Sequence, residues 1–372
     1  MNPTRTLLAS CALVACGPAA LAQSSVTVYG LLDAAVVQGK GAATGVKAID
    51  TTDRRVDAGG MSTSHIGLRG SEDLGSGWTA EFDLSSFIRN ATGASGRNDA
   101  IGAPVNVAAD PFWSRAAWVG IGNASLGRLR VGNLTTPLFV NSITSNAFGD
   151  STVFSPLNLV THIGGPQAGG TGWSSSVVYD SPQMAGVGLS LAVTDANASG
   201  RNLGARLAWR SGPAAASLAW QSVKRNPVSF ADGTTANNVS TWMLGGSYAF
   251  SMLTVYAHLG RLQNDGTEAT PQNVSYRLTE LSAAVPLGNG RVLAGWALRK
   301  TSDTPSPVPA TAAGGNVKRS VLTVGYDHTL SKRTDAYAML LRDQTDTRTL
   351  GAPPRIVSAS GSTLGLGIRH RF

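Results

Sequence analysis

The sequence predicts an all-β protein, a transmembrane antiparallel β-barrel of sixteen strands with an inward-folded loop, and three observations favour this class. Segments that alternate apolar and polar residues recur along the whole chain. Tight and long connections separate these segments in turn, as in barrels that cross outer membranes. Charged residues make up only 14% of the chain, yet after the first 22 residues no apolar run is long enough for a membrane helix.

The first 22 residues have the composition of a secretory signal peptide. Arg5 gives a positive start, 6–16 is mostly apolar, and 20–22 is the small-residue cleavage site Ala-Leu-Ala. We expect cleavage after Ala22, which leaves 23–372 as a single barrel domain. In an alternative interpretation, 13–17 (LVACG) resembles a lipobox that would carry a lipid on Cys16. Both cysteines lie in this segment, so the exported barrel would contain no disulfide.

We expect sixteen strands of about ten residues, the length that a tilted strand needs to cross a bilayer. In chain order they are SVTVYGLLDAAV, STSHIGLRGSED, WTAEFDLSSFI, FWSRAAWVGIGN, GRLRVGNLT, WSSSVVYDSP, VGLSLAVTDA, NLGARLAWRSG, AASLAWQSVK, VSTWMLGGSYAF, MLTVYAHLGRL, VSYRLTELSAAVPL, RVLAGWALRKT, VKRSVLTVGYDHTL, TDAYAMLLRDQT and GSTLGLGIRHRF. Seven tight turns and eight longer loops join them. The loops include 39–60, 90–111, 265–273 and 302–316, and the longest is 136–172.

Each predicted strand has one apolar face and one small or polar face. In the last strand, Leu364, Leu366 and Ile368 share one parity, and Thr363 and Arg369 share the other. This fits a barrel with lipid outside and a polar lumen inside. Aromatic residues near strand ends are expected to form girdles at the two membrane surfaces. They are Trp173, Tyr179, Trp242, Tyr248, Phe250, Tyr337 and Phe372. The alternative is a soluble β-sandwich, which would be unusual with sixteen matched strands and no disulfide.

Several of these stretches resemble one known family, the Gram-negative general porins of the beta-proteobacterial branch. The similar stretches are SSVTVYGLLDAAV, SHIGLRGSEDLGSGWTAEFDL, SRAAWVGIG, LGRLRVGN, SSVVYDSPQMAGVGLSLAV, YDHTLSKRTDAYAMLLR and LGIRHRF, and they follow the family's order. The resemblance implies a homotrimer in the outer membrane, without cofactor, that passes ions and small hydrophilic solutes by diffusion. It also implies that 136–172 folds inward to narrow each pore, and that barrel-insertion machinery recognises the terminal Phe372.

One position departs from the family's pattern. Family members usually carry Gly-Arg-Gln where this chain has Gly132, Asn133 and Leu134. The family's arginine contributes to the basic side of the pore, and Asn133 cannot do so. The basic residues of this pore must therefore be sought elsewhere.

Alternation assigns a set of charged side chains to the lumen. The basic members are Arg69, Arg115, Arg128, Arg130 and Arg206, and the acidic ones are Glu81, Asp83 and, on the inward loop, Asp150. Arginine keeps its charge at any working pH, and its field reaches ~8 Å at physiological salt, which spans a narrow pore. We therefore expect a moderate preference for anions, with the acids opposing a basic wall. Each arginine could instead form a structural ion pair or lie at the rim.

The same parity argument extends to other residues of the inner face. Arg299, Arg319 and Arg369 also fall on polar faces, and Trp118 is expected on the face opposite to Arg115.

Other classes of function have weaker support. None of the five histidines lies in a nucleophile motif, so catalysis is not expected, and their scattered spacing gives no metal site. The formal charge of +8 could suit nucleic acid, which an exported protein rarely meets. Two alternatives share the barrel: a substrate-specific porin that binds a particular anionic solute, and a plugged barrel with a structural or adhesive role.

Overall fold

The computed structural model describes residues 25–41, 52–96, 111–162, 170–194, 200–224, 238–266, 271–301, 316–348 and 355–372, which contain eighteen strands and two helices. The strands are β1 (Ser25–Gly41), β2 (Thr52–Ala58), β3 (His65–Gly75), β4 (Trp78–Arg89), β5 (Ala94–Ser95), β6 (Ala116–Asn123), β7 (Gly127–Thr135), β8 (Gly172–Asp180), β9 (Val187–Thr194), β10 (Leu203–Ser211), β11 (Ala214–Val223), β12 (Val239–Ala249), β13 (Thr254–Gly266), β14 (Pro271–Leu287), β15 (Gly290–Thr301), β16 (Asn316–Thr329), β17 (Thr334–Arg348) and β18 (Ile356–Arg371). The helices are α1 (Pro137–Thr144) and α2 (Pro156–Thr161).

Sixteen of these strands, β1, β3, β4 and β6–β18, form a closed antiparallel wall. The seam lies between β1 and β18, which pair from Leu31 opposite Arg371 to Gly41 opposite Gly361. On its other side β1 pairs with β3, so no strand of the wall has a free edge. Hydrocarbon offers no hydrogen-bond partners, and closure satisfies the strand backbone without them. The predicted fold class is confirmed. We call the two ends of the barrel the turn end and the loop end.

The strand β2 was not expected, because the sequence indicated a loop over 39–60. It pairs with β1 from Ala34 opposite Ala58 to Lys40 opposite Thr52, and so continues the line of β3 toward the loop end. Between β2 and β3 the chain leaves the sheet over 59–64 and turns into the lumen. We call 59–64 the inner bulge. The two-residue strand β5 only pairs with the end of β4 and adds nothing to the wall.

The two faces alternate as predicted. On β18, Leu364, Leu366 and Ile368 are 45–54% exposed on the outside, whereas Thr363 and Arg369 are buried inside. Lipid would cover the outer side chains in a membrane. Within the described part of the chain, neither helix is long and apolar enough to cross a bilayer.

Two of the aromatic residues assigned to the girdles lie inside the barrel instead. Tyr337 is 4% exposed and donates its hydroxyl to Asp33, which is on the inner parity of β1. Trp173 is 6% exposed because the register shifts between Gly132 and Leu134, and Ser175 opposite this shift has a φ of 51°. Such a bulge reverses the alternation of one strand end.

The remaining five aromatics of that set keep exposed or partly exposed positions on the outside or at the turn end. They are Tyr179, Trp242, Tyr248, Phe250 and Phe372.

The strands are longer than the membrane requires. β1 and β14 each contain 17 residues, and the predicted loop 265–273 is mostly strand, since β13 ends at Gly266 and β14 begins at Pro271. Strand pairing needs only backbone partners, so a hairpin continues into water where its alternation no longer matters.

Candidate pore constriction

The third long loop, 136–172 (loop 3), folds into the barrel and carries both helices. α1 packs against β9–β12 and α2 against β14–β16, so loop 3 covers this part of the inner wall. Both helices begin at a hydroxyl cap followed by proline. The Thr136 hydroxyl accepts from the Phe139 N–H, and the Ser155 hydroxyl accepts from the Asn158 N–H. These Thr-Pro and Ser-Pro pairs are sequence signals for helix starts, although the sequence pattern predicted only a loop over 136–172.

Two aromatic rings of loop 3 lie against glycines of the wall. Phe148 and Phe154 are 2% and 0% exposed. A Cβ atom at Gly295 on β15 would lie 2.7 Å from the Phe148 ring, and one at Gly365 on β18 would overlap the Phe154 ring. Only glycine leaves room for a ring at these places without a change of the loop. The two contacts therefore fix how far loop 3 stands out from the wall.

The inner bulge is held by one buried carboxylate. Asp33 on β1 is 0% exposed, and it accepts hydrogen bonds from the backbone N–H groups of Gly60, Met61 and Ser62 at 3.2, 2.9 and 2.7 Å. The Tyr337 hydroxyl donates to the same carboxylate at 2.5 Å. Hydrogen bonds to a charged acceptor are the stronger class. The Asp33 carboxylate therefore determines the shape of this six-residue excursion.

The inner bulge in turn holds the tip of loop 3. The Ser151 hydroxyl donates to the Gly60 carbonyl at 2.7 Å, and the Ser62 hydroxyl donates to Asp150 at 2.9 Å. Arg369 on β18 donates to the Ser62 hydroxyl from the other side at 3.0 Å. Asp150, predicted as the acid of the inward loop, is thus bound to the wall beside β1 rather than directed freely across the pore.

Two buried arginines hold the carbonyls near the end of α2. Arg319 donates to the Leu159 carbonyl and pairs with Asp343 at 2.7 Å, and Arg299 donates to the Val160 carbonyl at 3.2 Å. Cations are favoured where a helix leaves its last carbonyls unbonded. These arginines are on the inner face, as their parity indicated, but they serve the loop.

Asp150 is the only formally charged residue that loop 3 contains. The single histidine of the loop, His162, packs edge-on against Phe139 and lies 3.2 Å from the Ser142 hydroxyl. Burial lowers the pKa of His162 to about 3, so this side chain is neutral at pH 7. Loop 3 therefore brings no positive charge to the pore.

Two of the predicted arginines lie inside the barrel and have no carboxylate partner in the part of the chain that the structure describes. Arg69 on β3 is exposed to the lumen, and its guanidinium lies 5.0 Å from the centre of the Tyr29 ring. Arg115 donates to the Tyr29 and Ser85 hydroxyls, each at 3.4 Å. Asp83 is in register with Arg69, but within the described residues it accepts its hydrogen bond from Tyr29 at 2.6 Å.

Two other predicted arginines form an ion-pair cluster on the same part of the wall. Arg128 bridges Glu81 and Asp180 at 3.3 and 3.4 Å, and Arg130 pairs with Asp180 at 2.6 Å. Asp180 also accepts from the Ser190 hydroxyl. Asp180 was not predicted as a lumen residue, although it lies in the predicted strand WSSSVVYDSP and shares the parity of the inner residue Val178. The acids therefore alternate with the arginines on one wall. Glu81 and Asp83 were expected to lie across the pore from the arginines, but they lie beside them.

The fifth predicted arginine, Arg206, lies on β10 at the end of α1, in register with Ser190 on β9, which is in turn in register with Asp180 on β8. Its Nη2 donates to the Thr144 hydroxyl at 3.2 Å, and it makes no ion pair within the described ranges.

Trp118 contradicts the face assigned to it. It lies on the inner face of β6, where the Arg130 guanidinium is 5.3 Å from its ring centre. The parity argument failed because Arg115 precedes β6, so the alternation counted from it does not apply to the strand. Asn133 explains part of this geometry, since its amide donates to the carbonyls of Trp113 and Ser114 at 3.3 Å each. The residue that replaces the family's arginine thus holds the backbone just before Arg115.

Two predictions concerned the ends of the exported chain, at Ala22 and Phe372. Ala22 lies outside the described residues. Phe372 closes the seam, since it exchanges two backbone hydrogen bonds with Gly30, each at 3.1 Å. Over the ranges described, no group of three His, Cys, Asp or Glu side chains is arranged to hold a metal ion.

Comparisons with known proteins agree on one family. A family model described as Gram-negative porin matches residues 9–348. Outer membrane porin protein 32 of Delftia acidovorans is 29% identical over 398 residues, which cover 99% of each chain.

Solved structures show the same fold. The anion-selective porin from Comamonas acidovorans superposes with a TM-score of 0.71 at 24% identity and covers 94% of this chain and 100% of its own. The trimer form of OmpT from Vibrio cholerae superposes with a TM-score of 0.65 at 13% identity and covers 94% of this chain and 99% of its own.

The glycine contacts predict how the aperture responds to added volume. In Gly295→Ala and Gly365→Ala, the new methyl group pushes a phenylalanine ring away from the wall, and such overpacking costs about 1–3 kcal/mol. We expect loop 3 to move toward the pore axis and single-channel conductance in planar bilayers to fall. Gly39→Ala is the control, because a Cβ there meets only Thr363 Oγ1 at 3.7 Å. An unchanged conductance in both variants would contradict this role of the rings.

The Asp33 contacts predict a different defect. Asp33→Asn loses a charged acceptor, which weakens the inner bulge by about 2–3 kcal/mol and releases the tip of loop 3. We expect the barrel to fold and its open-channel current to be noisier. In gels, the band of the folded protein should disappear at a lower temperature than in the wild type. Asp57→Asn is the control, because it removes a buried carboxylate from β2 that binds Arg55 rather than the bulge. Equal current noise in the two variants would show that Asp33 has no special role.

Proposed function

The chain belongs to the Gram-negative porin family, and from that premise we propose that it forms an outer-membrane channel with a preference for anions. Ions and small hydrophilic solutes diffuse passively through the part of the lumen that loop 3 leaves open. The observation that carries the anion preference is the state of the charges around that opening. Among the described residues, Arg69 and Arg115 have no carboxylate partner, whereas Glu81 and Asp180 are each bound by an arginine.

Loop 3 supports the same conclusion. Its single acid, Asp150, accepts a hydrogen bond from Ser62, and its histidine is neutral. A passing ion therefore meets the positive charges of Arg69 on β3 and of Arg115 just before β6, whereas loop 3 presents mostly dipoles. Within a Debye length of ~8 Å this imbalance raises the local concentration of anions. The name of the structural relative from Comamonas acidovorans, an anion-selective porin, agrees with this proposal.

The same proposal includes a homotrimer. The outer faces of β8–β16 carry aromatic residues near the membrane surfaces, among them Trp209, Trp242 and Trp296. From β17 through β18 and β1 to β3 the apolar residues of the outer face are aliphatic apart from the terminal Phe372, and polar residues such as Arg342 and His370 lie among them. Aromatic side chains favour the lipid interface, so their absence over four adjacent strands suits a face covered by other subunits. A trimer is known for the OmpT relative.

Export and assembly complete the proposal. Cleavage after Ala22 would leave residues 23–372 as one barrel domain, with β1 beginning at Ser25. Phe372 would serve barrel-insertion machinery as the end of the last strand, which its hydrogen bonds with Gly30 place beside the seam. Membrane lipids would cover the remaining outer face.

Ion selectivity tests the channel directly. In a salt gradient across a planar bilayer, we expect the reversal potential of the refolded protein to indicate anion preference. In Arg69→Gln with Arg115→Gln, we expect the anion-to-cation permeability ratio to fall about two- to fivefold, since one charge at ~4 Å is worth about 1 kcal/mol in water. Arg277→Gln, on the outer face of β14, removes the same charge away from both the lumen and the proposed subunit contact and should change nothing. Cation preference of the wild type would refute the proposal.

Matched substitutions test the subunit contact. Ala338 on β17 lies on the aliphatic outer face, and Ala257 on β13 has a similar depth on the lipid-facing side. Ala338→Trp should shift the protein from trimer to monomer in detergent by sedimentation, because a close-packed interface has no room for the ring. Ala257→Trp should remain trimeric, because lipid accommodates the ring. A monomeric wild type, or equal behaviour of the two variants, would rule out this contact face.

A further inference from the structure

A cavity of about 290 Å³ lies between the end of α1 and the inner faces of β10 and β11, toward the turn end of the barrel. Its Arg206 is in register with Ser190 on β9, whose hydroxyl donates to Asp180, so the cavity lies beside the arginine cluster of β7. Its lining includes Thr144 and Ser145 from loop 3, Arg206 and Arg210 from β10, and Ser217 from β11. Gln183, from the turn between β8 and β9, completes the turn-end side of the cavity. No carboxylate lines it.

Two polar atoms at this cavity are buried and have no hydrogen-bond partner among the residues that the structure describes. One is Nε of Arg206, and the other is the hydroxyl of Ser217, a residue that is 5% exposed. A buried donor left without an acceptor costs about 1–3 kcal/mol, so each such group requires an explanation. Both groups can donate, and both residues line the cavity.

Attraction between Arg206 and the helix end explains only part of this arrangement. The guanidinium donates through Nη2 to Thr144, the last residue of α1, and a cation suits that end of a helix. This contact leaves Nε and the Ser217 hydroxyl unused. It also fails to explain Arg210, which follows on the same face of β10 at a distance of about 13 Å along the strand, at ~3.3 Å per residue.

We propose that this cavity is a binding site for a small oxyanion, whose anionic oxygens accept from Arg206 Nε–H and the Ser217 hydroxyl. Arg210 and the Gln183 amide offer a second donor pair on the way to the turn end. Carboxylate, phosphate and sulfate share the acceptor chemistry that guanidinium groups bind best. The inference rests on the proposed anion-conducting function and deepens it, because the site would hold anions after they pass loop 3.

Inorganic phosphate is the probe for this site. Chloride current through single refolded channels is measured while phosphate is added to both compartments, and the half-blocking concentration is recorded. We expect Ser217→Ala to raise this concentration roughly tenfold, the effect of one lost hydrogen bond to an anion. Because serine carries no charge, such a change cannot come from altered net charge. Arg206→Lys keeps the charge but loses the Nε–H donor, and it should weaken the block to a similar extent.

Thr323→Val is the matched control. The Thr323 hydroxyl is also buried without a partner on the inner face, but it lies on β16 away from the cavity, so the block should keep its wild-type concentration. Absence of phosphate block in the wild type, or an equal block in all three variants, would overturn the site while an anion-preferring channel could still stand. Cation preference of the wild type would refute the proposed function instead, whatever phosphate does.

Discussion

The demand of lipid for a fully hydrogen-bonded backbone determines most of this structure. Hydrocarbon gives an unpaired N–H or C=O no partner, so the wall closes on itself at β1 and β18. Closure then forces strict alternation, because each strand has lipid on one side and the lumen on the other. The inner wall carries many polar side chains together with buried apolar ones such as Met243, Leu278 and Leu341. A loop that enters this interior must pack its apolar residues against the apolar part of the wall and find acceptors and donors on the polar part.

Loop 3 forms a core inside the barrel from its own apolar residues and those of the inner wall. Phe148 and Phe154 pack where Gly295 and Gly365 leave room, and Arg299 and Arg319 bind the carbonyls near the end of α2. The tip is held less directly, since Asp33 shapes the inner bulge and the bulge binds Ser151 and Asp150. The inner arginines thus divide into two groups by what packs over them: those under loop 3 stabilise it, and those on the uncovered wall face the permeating ion.

The sequence was sufficient to predict the strands of the wall but not the contacts inside the lumen, and the reason is physical. Alternation has a period of two and depends on local contrast, so the sixteen strands and the two faces of β18 were predictable. It fails where a bulge changes the count, as at Trp173, and where the count starts from a residue outside the strand, as it did for Trp118. The role of Asp33 could not be predicted, because its partners are 27 to 304 positions away along the chain. The Thr-Pro and Ser-Pro starts of α1 and α2 were local signals of helices and could have been used.

Selectivity in such a pore depends on which charges remain unneutralised rather than on how many there are. Along the wall, Glu81 and Asp180 bind arginines, which reduce the field of these two acids, whereas Asp83 accepts from the neutral Tyr29 hydroxyl. Arg69 and Arg115 are bound by rings and hydroxyls, which orient the guanidinium groups and leave their charge in place. Replacing the family's arginine by Asn133 removes one positive charge, but the amide binds the backbone before Arg115 and so helps to position another. The opening therefore remains basic because Asn133 helps to hold Arg115 in position.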